Sequence, residues 1–233
     1  MSGHQISPKF DRPPSGALSS IYNRLYKFYG PQGWWPGRSR LEVIIGAILT
    51  QNTAWANVEK AIKNLKSEGL LSSPSRLHKV NTKKLAHLIR PAGYYNVKSK
   101  RLKNFTTFLI AEYKGEINRM AKVPTHRLRS ELLSINGVGP ETCDSILLYA
   151  FNRPVFVVDA YTRRIFSRHG FIGNGSTYEF IQAYFMNNLP SEEKKFNEYH
   201  ALLVRVAKEH CKARPICDNC PLNSMKIIAK GLR

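Results

Sequence analysis

Apolar residues recur along most of the chain with a period near 3.6, which lines them up on one face of a helix. Ala17–Tyr29 puts Leu18, Ile21, Leu25 and Phe28 on one stripe. Residues 40–50 (RLEVIIGAILT) are apolar on more than one face and read as a buried helix. Amphipathic segments follow at 57–65, 82–89, 98–113, 125–133, 141–151, 160–169, 176–188 and 195–210. Only PVFVV, at 154–158, has the character of a strand, and between helices it reads as a buried extended connector. There is no internal repeat and no low-complexity tract. The first sixteen residues carry Pro8, Pro13, Pro14 and Gly16 and read as a flexible arm. The pattern predicts an all-α fold.

Composition narrows the class. Of 233 residues, 36 are Lys or Arg and 16 Asp or Glu, a formal charge of +20, with a pI near 10.0. A chain this basic seeks a polyanion, either nucleic acid or an anionic surface. No segment approaches the ~20 continuous apolar residues of a membrane span, and the N-terminal residues contain no signal-like apolar run. With 11 Tyr, 11 Phe and 3 Trp to bury, disorder is excluded. These features predict a cytoplasmic protein, nucleoid-associated in a prokaryote, with no membrane role. Four cysteines without a secretory signal point to metal ligation or core packing rather than disulfides.

Residues 132–150, LLSINGVGPETCDSILLYA, carry the most specific signal. A helix ends near Ser134, Gly137-Val138-Gly139 makes a tight turn, and Pro140 stands where a first helical residue loses nothing by lacking an N–H. Glycines there permit positive φ and close approach of a ligand to the backbone. The helix that follows aims free N–H groups outward and can hold a phosphate without reading sequence. A plain helix–turn–helix corner is the alternative for a bare Gly-x-Gly; the surrounding frame and the charge favour the phosphate grip.

The segment resembles the helix-hairpin-helix of the endonuclease III superfamily of base-excision DNA glycosylases. The resemblance runs from residue 34 to residue 222: ILTQNTAWANVEKAI (48–62) is similar to the early helix and glutamine-bearing turn, PVFVVDAYTRR (154–164) to the run before the catalytic aspartate, and HCKARPICDNCPL (210–222) to the iron–sulfur loop. It implies a two-lobed fold. A helical barrel over 32–153 would end in the hairpin, at about 127–150. Residues 17–31 with 154–233 would form a second lobe carrying the cysteine loop, 211–220. Double-stranded DNA would lie in the cleft between lobes and the enzyme would act as a monomer.

The implied reaction is flipping of a damaged base and hydrolysis of its N-glycosidic bond. Cation character develops on the sugar, and a nearby carboxylate stabilises it or activates water. Asp159 is the residue in that position, although Asp before a helix is also a common N-cap. Members that also cleave the strand carry a Schiff-base lysine 18 positions earlier, and here that position is Glu141. The sequence therefore reads as a monofunctional glycosylase without lyase activity, with Glu141 as a helix-start acid or a pocket-shaping residue. Gln51 and Asn52 occupy the turn that in the family fills the gap left by a flipped base. Gly137, Val138 and Gly139, with Lys98, Arg101 and Arg163, are the candidate backbone contacts.

Trp34 and Trp35, in the loop GPQGWWPG, and Trp55 form a candidate base pocket, with core packing as the rival. This arrangement most resembles the subgroup that excises alkylated purines such as 3-methyladenine. A pyrimidine-damage or mismatch glycosylase is the enzymatic alternative, and a non-catalytic DNA-binding module the alternative from another class. Cys211, Cys217 and Cys220 resemble a [4Fe–4S] loop, but Lys226 stands where the fourth cysteine would be. A cluster with another fourth ligand, a zinc site using His210, and a metal-free loop all stay open.

Overall fold

The computed structural model describes residues 16–35 and 37–225, so the arm expected over 1–16 lies, Gly16 apart, outside the described residues. Among the described residues the chain is helical with no strand. No described helix is long and apolar enough to cross a membrane. The chain divides into two compact units: Gly33–Val157, and the two segments that flank it.

The central unit is built around α2 (Arg40–Leu49), in which every residue from Leu41 to Leu49 is buried. A helix apolar all round must be enclosed. The Ser39 hydroxyl accepts from the Glu42 amide and starts it; buried Glu42 is paired at 2.7 Å with Lys66. Around it pack α3 (Trp55–Ser67), α6 (Tyr95–Tyr113) and α9 (Pro140–Ser145). Two short helices, α4 (Pro74–Lys79) and α5 (Thr82–Leu88), lie against α6, followed later by α7 (Ile117–Met120) and α8 (Thr125–Leu133). The periodicity misses α4 and α7 because four to six residues are too few to show a repeat; α4 is marked instead by its Ser73 cap and Pro74 at the first position.

The helix expected over 141–151 is not uniform. After Ser145 the winding widens into a π-turn, Ile146–Ala150, whose residues are all buried. The run 155–158 is buried and extended, with helix on either side, as its five apolar residues suggested.

The flanking unit holds α1 (Ala17–Tyr29), α10 (Ala160–Arg168), α11 (Tyr178–Asn188) and α12 (Glu193–Glu209). Tyr199 of α12 is fully buried and donates its hydroxyl proton to Leu18 O at 2.9 Å, fastening α12 to α1. Leu18, Ile21 and Leu25 are buried as the stripe requires, but Phe28 is 56% exposed. One residue from the helix end, it lies edge-on to Tyr29 and His210 rather than in the core.

The two hairpin helices are braced by a bidentate ion pair: Arg129 of α8 donates from Nε (2.8 Å) and Nη2 (3.0 Å) to the two oxygens of fully buried Asp144 on α9. Cys143 beside it is a core residue, its thiol pushed up to about 12 by burial. Removing one partner of a buried pair strands the other's charge. Asp144→Ala should therefore cost about 3 kcal/mol in urea denaturation, and Arg129→Met with Asp144→Leu should recover most of the loss. Equal stabilities for wild type and Asp144→Ala would remove the pair as the brace.

Candidate functional site

In the flanking unit, Asp159 caps α10: its Oδ1 accepts from the Thr162 amide at 2.7 Å. The second oxygen, Oδ2, lies 3.5 Å from His200 Nε2 on α12. Both side chains are buried, Asp159 at 8% exposure. Burial by itself would push this carboxyl up, but His200 and the Thr162 hydrogen bonds hold it below the ordinary carboxylate value. The residue is thus an N-cap and a persistently ionised carboxylate at once. The Val158 amide donates to the Tyr178 hydroxyl at 3.4 Å, which ties the end of the extended run to α11 just before the aspartate. Nothing in the sequence ties His200 to Asp159, since it stands 41 positions away within an apolar stretch of α12; its one signal is a histidine among buried neighbours.

In the central unit the hairpin turn is held from outside. Gln51 donates from Nε2 to Gly137 O (3.0 Å) and to Thr142 Oγ1 (2.8 Å). Its Oε1 accepts from Arg101 Nη1. Gly137 has φ +95, and a Cβ there would collide with the Arg101 side chain. Glycine is therefore required twice over, for its backbone and for the room it leaves Arg101. Asn52 is exposed at φ +51, beside Gln51. Gly139 is exposed at the start of α9, and Glu141 is exposed in its first turn, where its charge suits the N-terminal dipole.

Three of the expected DNA contacts make hydrogen bonds within the protein. Lys98 is 1% exposed, and its ammonium donates to Leu49 O (2.8 Å), Thr53 Oγ1 (2.5 Å) and Ala92 O (2.7 Å). It faces inward because position 98 falls on the core side of α6, which the sequence's run of lysines conceals. Val138 is likewise buried, and its amide donates to Ile135 O at 3.0 Å, which closes the turn. Arg163 is half-buried and donates to Ser176 O at 2.6 Å. Tyr94 stands 72% exposed at φ +44, just before α6.

The three tryptophans converge. Trp35 stacks on Tyr149 of the π-turn (4.9 Å, 28°) and meets Trp55 edge-on at 4.8 Å, while Trp34 lies 5.8 Å from Trp35 and 6.4 Å from Trp55. Trp35 also lies against Gly46 of α2, where a Cβ would sit 3.3 Å from its ring. Trp35 thus touches Tyr149, Trp55, Trp34 and Gly46 and is the hub of the cluster. The indole N–H groups of Trp34 and Trp35 are buried without a partner among the described residues. Trp55 also borders a separate hollow of about 380 Å³ with Glu42, Glu59 and Lys63, away from the hairpin residues.

The cysteine loop does not present a four-ligand metal site. Cys211 Sγ accepts from Arg168 Nη1 at 3.3 Å, Cys217 is exposed, and His210 Nδ1 lies 3.3 Å from Ile216 O. Among the described residues no three His, Cys, Asp or Glu side chains are grouped to hold a metal ion. A [4Fe–4S] cluster needs four convergent donors, and this donor set does not fit one. The loop is held by arginines of α10: Arg164 donates to Cys211 O (2.6 Å), and Arg168 to Lys212 O (2.5 Å) and Ala213 O (2.8 Å).

Because Gly137 combines positive φ with Arg101 contact, Gly137→Ala should cost more than the ~1 kcal/mol typical of a strained glycine site. It should also weaken binding to duplex DNA, read by thermal denaturation and fluorescence anisotropy. A variant as stable and as tightly bound as wild type would show that the turn tolerates a side chain.

Residues 45–191 match the family described as HhH-GPD superfamily base excision DNA repair protein. The chain is 54% identical over 207 residues to a Methanocaldococcus jannaschii protein provisionally named a DNA repair glycosylase, covering 88% of this chain and 93% of that one. Among solved structures, it is similar to the H. pylori 3-methyladenine DNA glycosylase MagIII bound to 1,N6-ethenoadenine, at 28% identity and a TM-score of 0.69, over 83% of this chain and 94% of that one. It shares its fold with an endonuclease III–DNA complex at 24% identity and a TM-score of 0.78, over 92% and 95% of the two chains. A helical fold, a glycine hairpin locked from α2 and α6, and a buried ionised aspartate capping the next helix are thus accounted for together: the chain belongs to the HhH-GPD superfamily of base-excision repair proteins and is a DNA N-glycosylase of endonuclease III type.

Proposed function

We propose that the enzyme is a monofunctional glycosylase acting on alkylated purines, with Asp159 as the catalytic carboxylate. The observation that carries this reading is the aromatic cluster. Trp34, Trp35 and Trp55 lie within stacking distance of one another, and the buried indole N–H groups of Trp34 and Trp35 offer two donors to a base. A methylated purine such as 3-methyladenine carries positive charge, so an indole face attracts it more than its neutral parent. It also leaves readily and needs little acid assistance. The likeness to MagIII, whose bound ligand is an alkylated adenine derivative, supports the same substrate class.

The division of labour follows from the residues. Asp159, kept ionised, faces the cation that develops on the sugar and stabilises it or takes a proton from the attacking water. His200 orients the carboxylate and keeps it charged. No amine stands at position 141, so the chain lacks the Schiff-base nucleophile of the strand-cleaving members, and hydrolysis leaves an intact abasic strand. The hairpin supplies backbone grip without sequence preference.

Asp159→Asn should lower single-turnover base release by at least about a hundredfold while leaving affinity for undamaged duplex nearly unchanged. A carboxyl whose pKa is depressed in the folded state contributes its charge, and its share of stability, above the ordinary carboxylate value, and loses both as pH falls through the depressed one. The rate should hold on the acid side into the ordinary carboxylate range, and His200→Gln should move the acid limb upward. An unchanged rate in Asp159→Asn would remove it from the mechanism.

With methylated DNA, excision should exceed that of thymine glycol, and strands should break only after hot alkali, with no borohydride-trapped adduct. Trp34→Ala should slow methylpurine release by about tenfold, the worth of one desolvated indole–cation stack. Release of thymine glycol without methylpurine, or efficient trapping, would overturn the reading.

A further inference from the structure

The buried ammonium of Lys98 takes no part in the chemistry above, yet it occupies a central place among the loops that flank the hairpin. Its three acceptors come from two turns. Leu49 O and Thr53 Oγ1 belong to the end of α2 and the turn that carries Gln51 and Asn52. Ala92 O belongs to the turn that carries the exposed Tyr94. The Thr53 hydroxyl also donates to Ala92 O at 2.5 Å, so the two turns are joined through both groups. One helical turn further along α6, Arg101 holds Gln51, and Gln51 holds the hairpin. Lysine and arginine three positions apart on one helix therefore fasten three loops from beneath.

We propose that Lys98 is a positioning residue for DNA: by satisfying Leu49 O, Thr53 Oγ1 and Ala92 O at once, it sets the Gln51–Asn52 turn against the Tyr94 turn before DNA arrives. This rests on the family assignment, which makes DNA the ligand, and not on the choice of damaged base. An ammonium has three protons for three acceptors, whereas a neutral amine has two protons and a lone pair. Deprotonation therefore removes one of the three donated bonds and turns a lone pair toward its acceptor, which loosens the junction between the turns.

The charged surroundings make that titration accessible. Burial first, and Arg101 second, lower the Lys98 pKa to about 8. Around the rest of α6, Lys103 is occupied by carbonyls at the end of α4 and His78 of α4 contacts Thr106, further down the helix. Arg90 lies 6.0 Å over the Tyr95 ring; Glu42 on α2 is paired with Lys66. The acceptors themselves are uncharged. Because the folded protein holds this proton less tightly than the unfolded chain, stability from this group rises between about pH 8 and the ordinary lysine value. Loss of DNA affinity above pH 8 would therefore come without loss of fold from this residue.

The test uses the full-length protein and a duplex carrying a tetrahydrofuran abasic-site analogue, which is bound whatever base the enzyme excises. Wild type should bind it more weakly at pH 9.5 than at pH 7, with no fall in melting temperature attributable to Lys98. Lys98→Met should weaken binding about tenfold at pH 7, the scale of one charge-assisted hydrogen bond, and should abolish the decline above pH 8. Lys98→Arg, charged throughout, should also bind with no such decline. Should Lys98→Met fail to fold, Thr53→Val tests the same junction and should weaken binding with the melting temperature nearly kept. Binding by folded Lys98→Met equal to wild type, or one pH profile shared by wild type and Lys98→Arg, would overturn the proposal. Failure of wild type to bind the analogue would instead strike at the family assignment.

Discussion

The hairpin turn depends on one side chain outside it. Gln51 accepts from Arg101 and donates to Gly137 O and Thr142 Oγ1, so a single amide connects α2, α6 and both sides of the turn. A backbone carbonyl in a tight turn has few partners of its own, and leaving it unpaired would cost a desolvation penalty comparable to a whole hydrogen bond. Gln51 removes that cost while preserving the open backbone of Gly139 on the other side. The Arg129–Asp144 pair then fixes how the two hairpin helices meet. Without both, the glycines would supply freedom rather than a defined turn.

Asp159 shows the same economy in the flanking unit. A residue that starts a helix needs an ionised or polar side chain to accept from the first amides. Here that requirement and the chemical one coincide, because the hydrogen bond from Thr162 and the proximity of His200 outweigh burial and keep the carboxylate charged. One side chain thus serves as the N-cap and, under the proposed function, as the catalytic carboxylate.

Charge has been distributed less simply than the +20 total suggests. Lys98 and Lys103 spend their protons on carbonyls inside the central unit, and Arg164 and Arg168 spend theirs on the cysteine loop. In that loop the Cys211 and Lys212 carbonyls and the Cys211 sulfur all accept from guanidinium groups. Several of the basic residues are therefore internal fasteners, and the surface charge comes from those that stay exposed, such as Lys100 and Lys212.

The all-α class, the helices Ala17–Tyr29 and Thr125–Leu133, the Ser134 end of α8 and the Pro140 start of α9 were legible in the sequence. Each depends on local rules: periodicity of several turns, a proline at the first position, a glycine where φ is positive. The cap position of Asp159 was legible for the same reason. What the sequence could not determine is which polar atoms meet across the fold. His200 reaches Asp159 over 41 positions and Gln51 reaches Gly137 over 86, and neither spacing has any periodic signature. Lys98 looks like one more surface lysine until the packing of α6 turns it inward. Local propensity is written residue by residue, whereas the pairing of buried polar groups is a property of the closed core, since only there does an unpaired group become costly.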